Sequence, residues 1–541
     1  MHLLPFVLPM VLLLLVLPGP SSAADRFVCD CAPGADADCV AGSNSNTGTA
    51  QQPWRSYQQA RLGFAGLTAG DALRFCRGGR WQVSGAAEWV NGQCTAQQTC
   101  LVAAYDAPWS SGDEKRPVIE RTDDGDAFSL ANPGNAIRQS GYRFEDLHLV
   151  GNGGNAGQGF FLFNDIDDVT ISRVVMENFA IGVNLAGSNP CDAFDPQCDG
   201  FNERIILQDS FVLNNTSQGW LGASSGSRIL RTLFDGNGSM PTFHHNLYLA
   251  SGIDPVVDMQ VIGNTLRNNA IDNSGTCNAT SLAGHGLFAD VLIEGNLVEE
   301  SLGLAGPGCW GIAIDPAYDF GEQFTRLVIR GNTVRNMGNL SIGTASCVDC
   351  VIENNQVIQQ QTIGGTAIAV PNRTPGAGDA IGTGLTVRNN SIYYAGPATG
   401  VAVTSSGTNH RIYSNAIQGV ASPGGGFACF STDLPPSSFA GMDYNLCDPG
   451  AMGEWVAGTG DLTAWQGATG FDLNSSVQSP GFKDPTGADL GAVSGASPMV
   501  DTGSIAESAP AAFDGALRDS APDRGAHEWR AGQIFSNGFE G

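Results

Sequence analysis

A short phrase returns along this chain at nearly regular steps. It reads Ile-Gly-Asn-Thr-Leu around Asn264, Ile-Glu-Gly-Asn-Leu-Val around Asn296 and Ile-Arg-Gly-Asn-Thr-Val around Asn332. It recurs as Ile-Glu-Asn-Asn-Gln-Val around Asn355, Val-Arg-Asn-Asn-Ser-Ile around Asn390 and Ile-Tyr-Ser-Asn-Ala-Ile around Asn415. Looser copies lie around Asp209, flanked by Leu207 and Phe211, and around Thr232. Steps between the clear copies run from 23 residues (Asn332 to Asn355) to 36 (Asn296 to Asn332). A repeat of that length is one supersecondary unit that cannot bury its own apolar face, so copies must stack. Each copy alternates apolar and polar residues, the period of a strand, and no helical pattern follows.

Short strands, one turn of chain per repeat and Asn or Gly at the bends predict an all-β chain. The expected architecture is a single right-handed parallel β-helix solenoid with an N-terminal cap and an irregular C-terminal region. Gly accounts for 72 of 541 residues, which suits tight bends that need positive φ. Each coil shows two recognisable strands. One is the Asn phrase. The other reads Gly182-Val-Asn-Leu, Asn246-Leu-Tyr-Leu, Gly286-Leu-Phe-Ala, Gly311-Ile-Ala-Ile and Gly400-Val-Ala-Val.

Residues 1–23 read as a signal peptide: Leu3 to Leu17 is almost wholly apolar, Pro-Gly-Pro follows, and Ser21-Ser-Ala23 fits cleavage after a small residue. Its start carries no Lys or Arg. No later apolar run is long enough to span a bilayer. Residues 24–135 are expected to form the cap and first coils, 136–420 the main coils, 421–530 the C-terminal coils and cap, and 531–541 a tail. A helix-like stretch follows Pro53-Trp54 and runs to Ala65.

The formal net charge is -27, with Lys115 and Lys483 the only lysines. That balance argues against nucleic acid or an anionic membrane as partner. All 14 cysteines follow the leader, and an even number in an exported chain suggests disulfides. Spacing favours Cys94–Cys100, Cys191–Cys198 and Cys429–Cys447, with Cys277 and Cys309 stapling neighbouring coils. Cys29, Cys31, Cys39 and Cys76 would tie the N-terminal region. Cys347-Val-Asp-Cys350 has the form of a redox or zinc motif, but no second pair sits at metal spacing, so a structural role is assigned.

The repeats resemble the right-handed parallel β-helix, or pectin-lyase-like, superfamily. The likeness rests on Gly48-Thr-Ala-Gln-Gln-Pro-Trp-Arg-Ser-Tyr, on Ala-Gly-Asp71-Ala-Leu-Arg-Phe and on the Asn-phrase coils. It rests also on the close, Ser497-Pro-Met-Val-Asp501-Thr-Gly503 with Asp523-Arg-Gly-Ala-His-Glu528. The superfamily hosts lyases, hydrolases, epimerases and binding proteins, so fold alone does not choose among them. Gly284-His285-Gly286 looks like the Gly-His-Gly of polygalacturonases, but Asp167-Asp168 lies several coils too early and Arg-x-Lys is absent. The Arg-x-Pro-x-x-Arg of classical pectate lyases is missing too.

Equivalent positions on successive coils lie about 4.8 Å apart. Aligning the second strands places Tyr248 over Phe288 as an aromatic ledge, Asp290 beside Asp315 as paired carboxylates, and Asn184 earlier in the ledge column. His245, His285 and Trp310 each precede a strand, and His244 precedes His245. An aromatic platform suits the C–H face of a sugar, two histidines could supply acid and base, and paired carboxylates could hydrolyse or hold Ca²⁺. The catalytic candidates are therefore His245, His285, Tyr248, Asp290 and Asp315, with His245 the first choice of base. His244, Phe288, Trp310, Asn184 and Arg228 are candidate substrate contacts. The competing reading makes the histidines turn caps and the aromatics a sheet cover. No residue set is assigned as a resident metal site.

Two further columns are read as structural. Asp235, Arg267, Glu299 and Arg335 alternate in sign along four coils, as a salt-bridge ladder would. The repeated Asn residues should form an internal ladder, each bonding the next coil. The resemblance and the columns together imply an exported, monomeric, polysaccharide-active protein, foremost a lyase on an acidic glycan. A hydrolase using the Asp pair and a non-catalytic glycan binder are the alternatives.

Overall fold

In the computed structural model, residues 25–130, 138–187, 199–420 and 426–530 are described. The expected signal peptide, the Cys191–Cys198 pair and the tail after residue 530 lie outside them.

Among the described residues, two 14-stranded parallel sheets and one 12-stranded parallel sheet form the stack, most coils giving one strand to each. The right-handed parallel β-helix expected from the repeat is the observed fold. The first sheet begins with Arg26–Val28 and ends with Phe439–Asp443; the second runs from Arg80–Val83 to Ser476–Val477. The parallel stack thus extends to both sides of residues 136–420. A fourth, four-stranded sheet widens the middle coils with Val256–Val257, Leu287–Ala289, Gln323–Thr325 and Cys347–Val348.

The Asn phrase is a corner rather than one strand. Leu292–Glu294 belongs to the first sheet and Leu297–Glu299 to the second, with Gly295-Asn296 between them. The residue before each rung is left-handed: Gly263, Gly295, Gly331, Asn354, Asn389 and Ser414 have φ between 51° and 67°. Gly and Asn recur there because a side chain with a branched or bulky Cβ strains that conformation.

The rung itself points inward. Asn264, Asn296, Asn332, Asn355, Asn390, Asn415 and Asn445 are all fully buried. Asn332 Oδ1 accepts both the Asn296 backbone N–H (2.9 Å) and the Asn296 side-chain amide (2.9 Å), while its own amide donates to Ile293 O (2.9 Å). The same pattern repeats from rung to rung up to Asn445. In the looser copies Thr232 and Ser210 take the rung position. A corner inside an apolar core has backbone groups that no strand can satisfy, and the amide ladder satisfies them.

The charge column lies in register, Asp235 beside Arg267 beside Glu299 beside Arg335. Ion pairs close within it at 2.8 Å (Arg267–Asp235) and 4.0 Å (Arg335–Glu299).

The helix Tyr57–Phe64 is capped by Ser56, whose side chain accepts the Gln59 N–H, and it buries Tyr57, Ala60 and Phe64. Phe64 packs on Trp89 and Tyr142 at the N-terminal end of the core. At the other end, residues 499–529 wrap back along the corner line, where Asn389 donates to Asp523 O and accepts from Ala509 N–H. The buried Arg518–Glu528 pair (2.8 Å) holds that wrap together.

Six disulfides close among the described residues: Cys29–Cys76, Cys31–Cys39, Cys94–Cys100, Cys277–Cys309, Cys347–Cys350 and Cys429–Cys447. No described cysteine is free. No described helix is long and apolar enough to cross a membrane.

Candidate functional site

The outward face of the third sheet carries the candidate residues Tyr248 and His285. Strand Leu247–Ala250 alternates buried Leu247 and Leu249 with outward Tyr248 and Ala250. The next coil supplies Leu282–His285 and the one after Ile312–Ile314.

The register between these strands differs from the one expected. Tyr248 lies beside Ala283, and Ala250 beside His285. Gly286 follows with φ +118°, and an added Cβ there would meet Ser251 O at 2.6 Å. The chain turns a corner at Gly286, so Leu287–Ala289 enters the fourth sheet instead of continuing the third. Ser281-Leu-Ala-Gly is the true counterpart of Asn246-Leu-Tyr-Leu; its small residues hide it from a hydrophobic-pattern search.

Three expected positions change as a result. Phe288 is buried in the fourth sheet, stacked on Phe324 at 5.9 Å, and forms no ledge with Tyr248. Asp290 is exposed at the following corner, where Arg326 grips both its oxygens at 2.6 Å and holds its carboxyl below the usual range. It does not pair with Asp315. His285 leaves the column of His245, which instead continues through Thr280 to Trp310.

The catalytic residue types nevertheless converge. Tyr248 stands between the two histidines, its ring 5.1 Å from that of His245 and 5.4 Å from that of His285, edge-on to both. His285 also meets Tyr318 at 5.9 Å, and the two tyrosine hydroxyls are 3.0 Å apart. His285 Nδ1 lies 2.5 Å from the backbone O of Asp315 and 3.3 Å from its Oδ1. A carbonyl only accepts, so Nδ1 carries the proton and Nε2 is left as the basic nitrogen. His245 is fixed the same way by Thr280 O at 2.7 Å.

The two histidines differ in surroundings. Burial pushes His245 down to about 4, so it stays neutral throughout the physiological range. His285 keeps part of its side chain exposed (12 %), whereas its partner Asp315 is buried (1 %). Arg373 Nε stands 3.6 Å from Asp315 Oδ1, and Asn372 donates to Asp315 Oδ2. Burial raises both tyrosines above the ordinary phenol value, which keeps them protonated.

A loop assembles this side of the site. Fully buried Glu322 accepts the backbone N–H groups of Gly286 (2.5 Å), Ala317 (2.5 Å) and Tyr318. One carboxylate thus pins both the corner after His285 and the turn that carries Tyr318. Sequence columns missed Tyr318, Glu322, Asn372 and Arg373, because loops between strands have no register to count from.

The other sequence candidates are placed as follows. Asn184 shares Tyr248's line, two coils earlier through Leu221. Trp310 packs on Ala313, Leu340 and Ala369 and donates to Asn339 Oδ1 at 2.6 Å. His244 caps its own loop, Nδ1 accepting the N–H groups of Ser239 (3.1 Å) and Met240 (3.2 Å). Arg228 lies in the first sheet, bonded to Gln260 at 3.2 Å.

No protein-family model matches the sequence, and neither does any curated protein sequence. Among solved structures, the A-module of the mannuronan C-5 epimerase AlgE4 of Azotobacter vinelandii is similar at 14% identity and TM-score 0.39, covering 76% of this chain and 91% of that one. Pectate lyase Pel9A is similar at 14% identity and TM-score 0.36, covering 94% and 98%. The catalytic unit of a GH87 α-1,3-glucanase from Streptomyces thermodiastaticus is similar at 14% identity and TM-score 0.34, covering 74% and 66%. The fold assignment stands on the strand pairing itself.

Proposed function

We propose that this protein is an exported polysaccharide lyase acting at a uronate by β-elimination. The observation that carries the reading is the His285–Asp315 pair, bracketed by Tyr248 and Tyr318 and faced by Arg373. β-Elimination needs a base for the proton on the carbon next to the carboxylate, a positive group for the charge that develops there, and an acid for the leaving oxygen. His285 Nε2 is the base, oriented through Nδ1 by Asp315. Arg373 is the positive group beside that pair. The hydrogen-bonded tyrosines, held protonated by burial, return a proton to the leaving oxygen as the carbon–oxygen bond breaks and the double bond forms.

This reading moves the base from His245 to His285. His245 is the more deeply buried of the two, and its ring packs edge-on against Tyr248. It is assigned to positioning Tyr248. The hydrolase alternative loses its support, because Asp290 is tied to Arg326 rather than paired with Asp315. Export is supported by the apolar leader and by the disulfides, which persist in oxidising compartments.

The test is a screen of purified protein against uronate and neutral polysaccharides. A lyase yields unsaturated ends that absorb in the ultraviolet. Reducing ends without that absorbance would mark a hydrolase, and retention of polymer with neither product would mark a binder.

A further inference from the structure

The outward face of the third sheet continues beyond the His285 cluster toward the N-terminal coils. In strand Gln158–Phe163, Phe160 and Leu162 are fully buried, so Phe161 and Phe163 face outward, and both are partly exposed. Their rings stack at 5.6 Å with 26° between planes. One continuous line joins Phe161 to the cluster, and a second reaches it with a gap at one coil. One runs Phe161, Asn184, Leu221, Tyr248. The other pairs Phe163 with Ala186 and, farther on, Ala250 with His285; between them the strand ends at Leu221, Gly222 has φ +106°, and Ala223 packs against the core. Ala186, Ala223 and Ala250 are each partly exposed. Ala223 and Ala250 also line a cavity of about 490 Å³, with Ser251 and Ile253 on its wall.

We propose that this face is an axial glycan-binding arm, in which Phe161 and Phe163 stack a sugar four coils away from His285. Four coil steps span about 19 Å. Only a chain of several sugars therefore reaches from His285 to the phenylalanines. The alanines keep the floor low enough for rings to lie on it. Asn184 and Tyr248 offer polar groups along the line that starts at Phe161, and the aromatic pair at its far end presents an apolar surface to a sugar's C–H face. The ligand class is an extended polysaccharide running along the solenoid axis. A disaccharide at the reaction centre would not reach the platform. The inference rests on the lyase reading for the position of the reaction centre only.

The experiment compares trimers and hexamers of galacturonate and of mannuronate. Binding is measured by calorimetry on His285→Ala protein, with and without a Phe161→Ala/Phe163→Ala change, and turnover is measured on the same pair of Phe states with His285 intact. The arm predicts that hexamer binds at least about tenfold more tightly than trimer, and that the double Ala change abolishes that advantage. Phe163→Trp, which keeps an aromatic face, should preserve it. Hexamer affinity unchanged in a double Ala protein of native melting temperature overturns the arm, whatever the activity. If no unsaturated product forms but hexamer binding still depends on the phenylalanines, the arm stands and the lyase reading falls.

Discussion

Glu300 occupies a rung of a second inner ladder, where earlier coils place Asn215, Asn237, Asn246 and Asn269. Its Oε1 accepts the Asn269 backbone N–H at 2.8 Å, while Oε2 is buried without a hydrogen-bond partner. Burial, with smaller contributions from Glu299 and Asp235, pushes the carboxyl up to about 8. The folded state therefore keeps a proton that the unfolded chain releases above about 4.3. Stability is undiminished below that value and is lost as pH rises toward the folded pKa, because folding must then take up a proton. At pH 7 the loss amounts to about 3 to 4 kcal/mol, from 1.36 kcal/mol per unit over somewhat under three units. Glu300→Gln keeps the acceptor for Asn269 and cannot ionise. Urea unfolding should find the variant close to wild type at pH 4 and more stable by about 3 kcal/mol at pH 7. A stability difference that is the same at both pH values would refute the reasoning.

Asn332→Ala, in the middle of the main ladder, removes the acceptor of two Asn296 groups and the donor to Ile293 O. Buried groups left unpaired cost about 1–3 kcal/mol each, so a loss of about 3 kcal/mol or more is expected in urea unfolding. Replacing Cys277 and Cys309 together by Ser opens a 32-residue loop and should cost about 3 kcal/mol, read as a lower melting temperature. Asp315→Asn, beside the proposed base, should cut kcat about 100-fold or more, whereas Asp290→Asn should leave kcat unchanged. Equal losses from both aspartates would restore the carboxylate pair that the strand register breaks up.

The repeat made the fold legible because one physical requirement recurs at every corner. A buried bend needs a left-handed residue and then an amide, and Gly295-Asn296 and Asn389-Asn390 meet that requirement visibly. The charge column was legible for the same reason, since Asp235, Arg267, Glu299 and Arg335 each sit three residues past a rung. The third sheet was harder to read. Its strand Leu282–His285 carries Ala283 and Gly284 at its centre, so Leu287-Phe288-Ala289 offered the stronger apolar pattern and drew the alignment five residues too far. Tyr248, His285 and Asp315 still came together, since a register error along one strand leaves coil membership intact. Phe288 and Asp290 did not, because Gly286 turns them into another sheet. Tyr318, Glu322 and Arg373 reach the site from loops whose lengths vary between coils, and no periodicity places them.

His285, held by Asp315, is the proposed base for β-elimination at a uronate. The most direct measurement follows ultraviolet absorbance of unsaturated ends during incubation with uronate polysaccharides, for wild type and for His285→Ala of matching melting temperature. Growth of absorbance with wild type and a loss of about 100-fold or more with the variant is the predicted result. Absorbance that grows equally with both proteins, or reducing ends released without any absorbance, would contradict it.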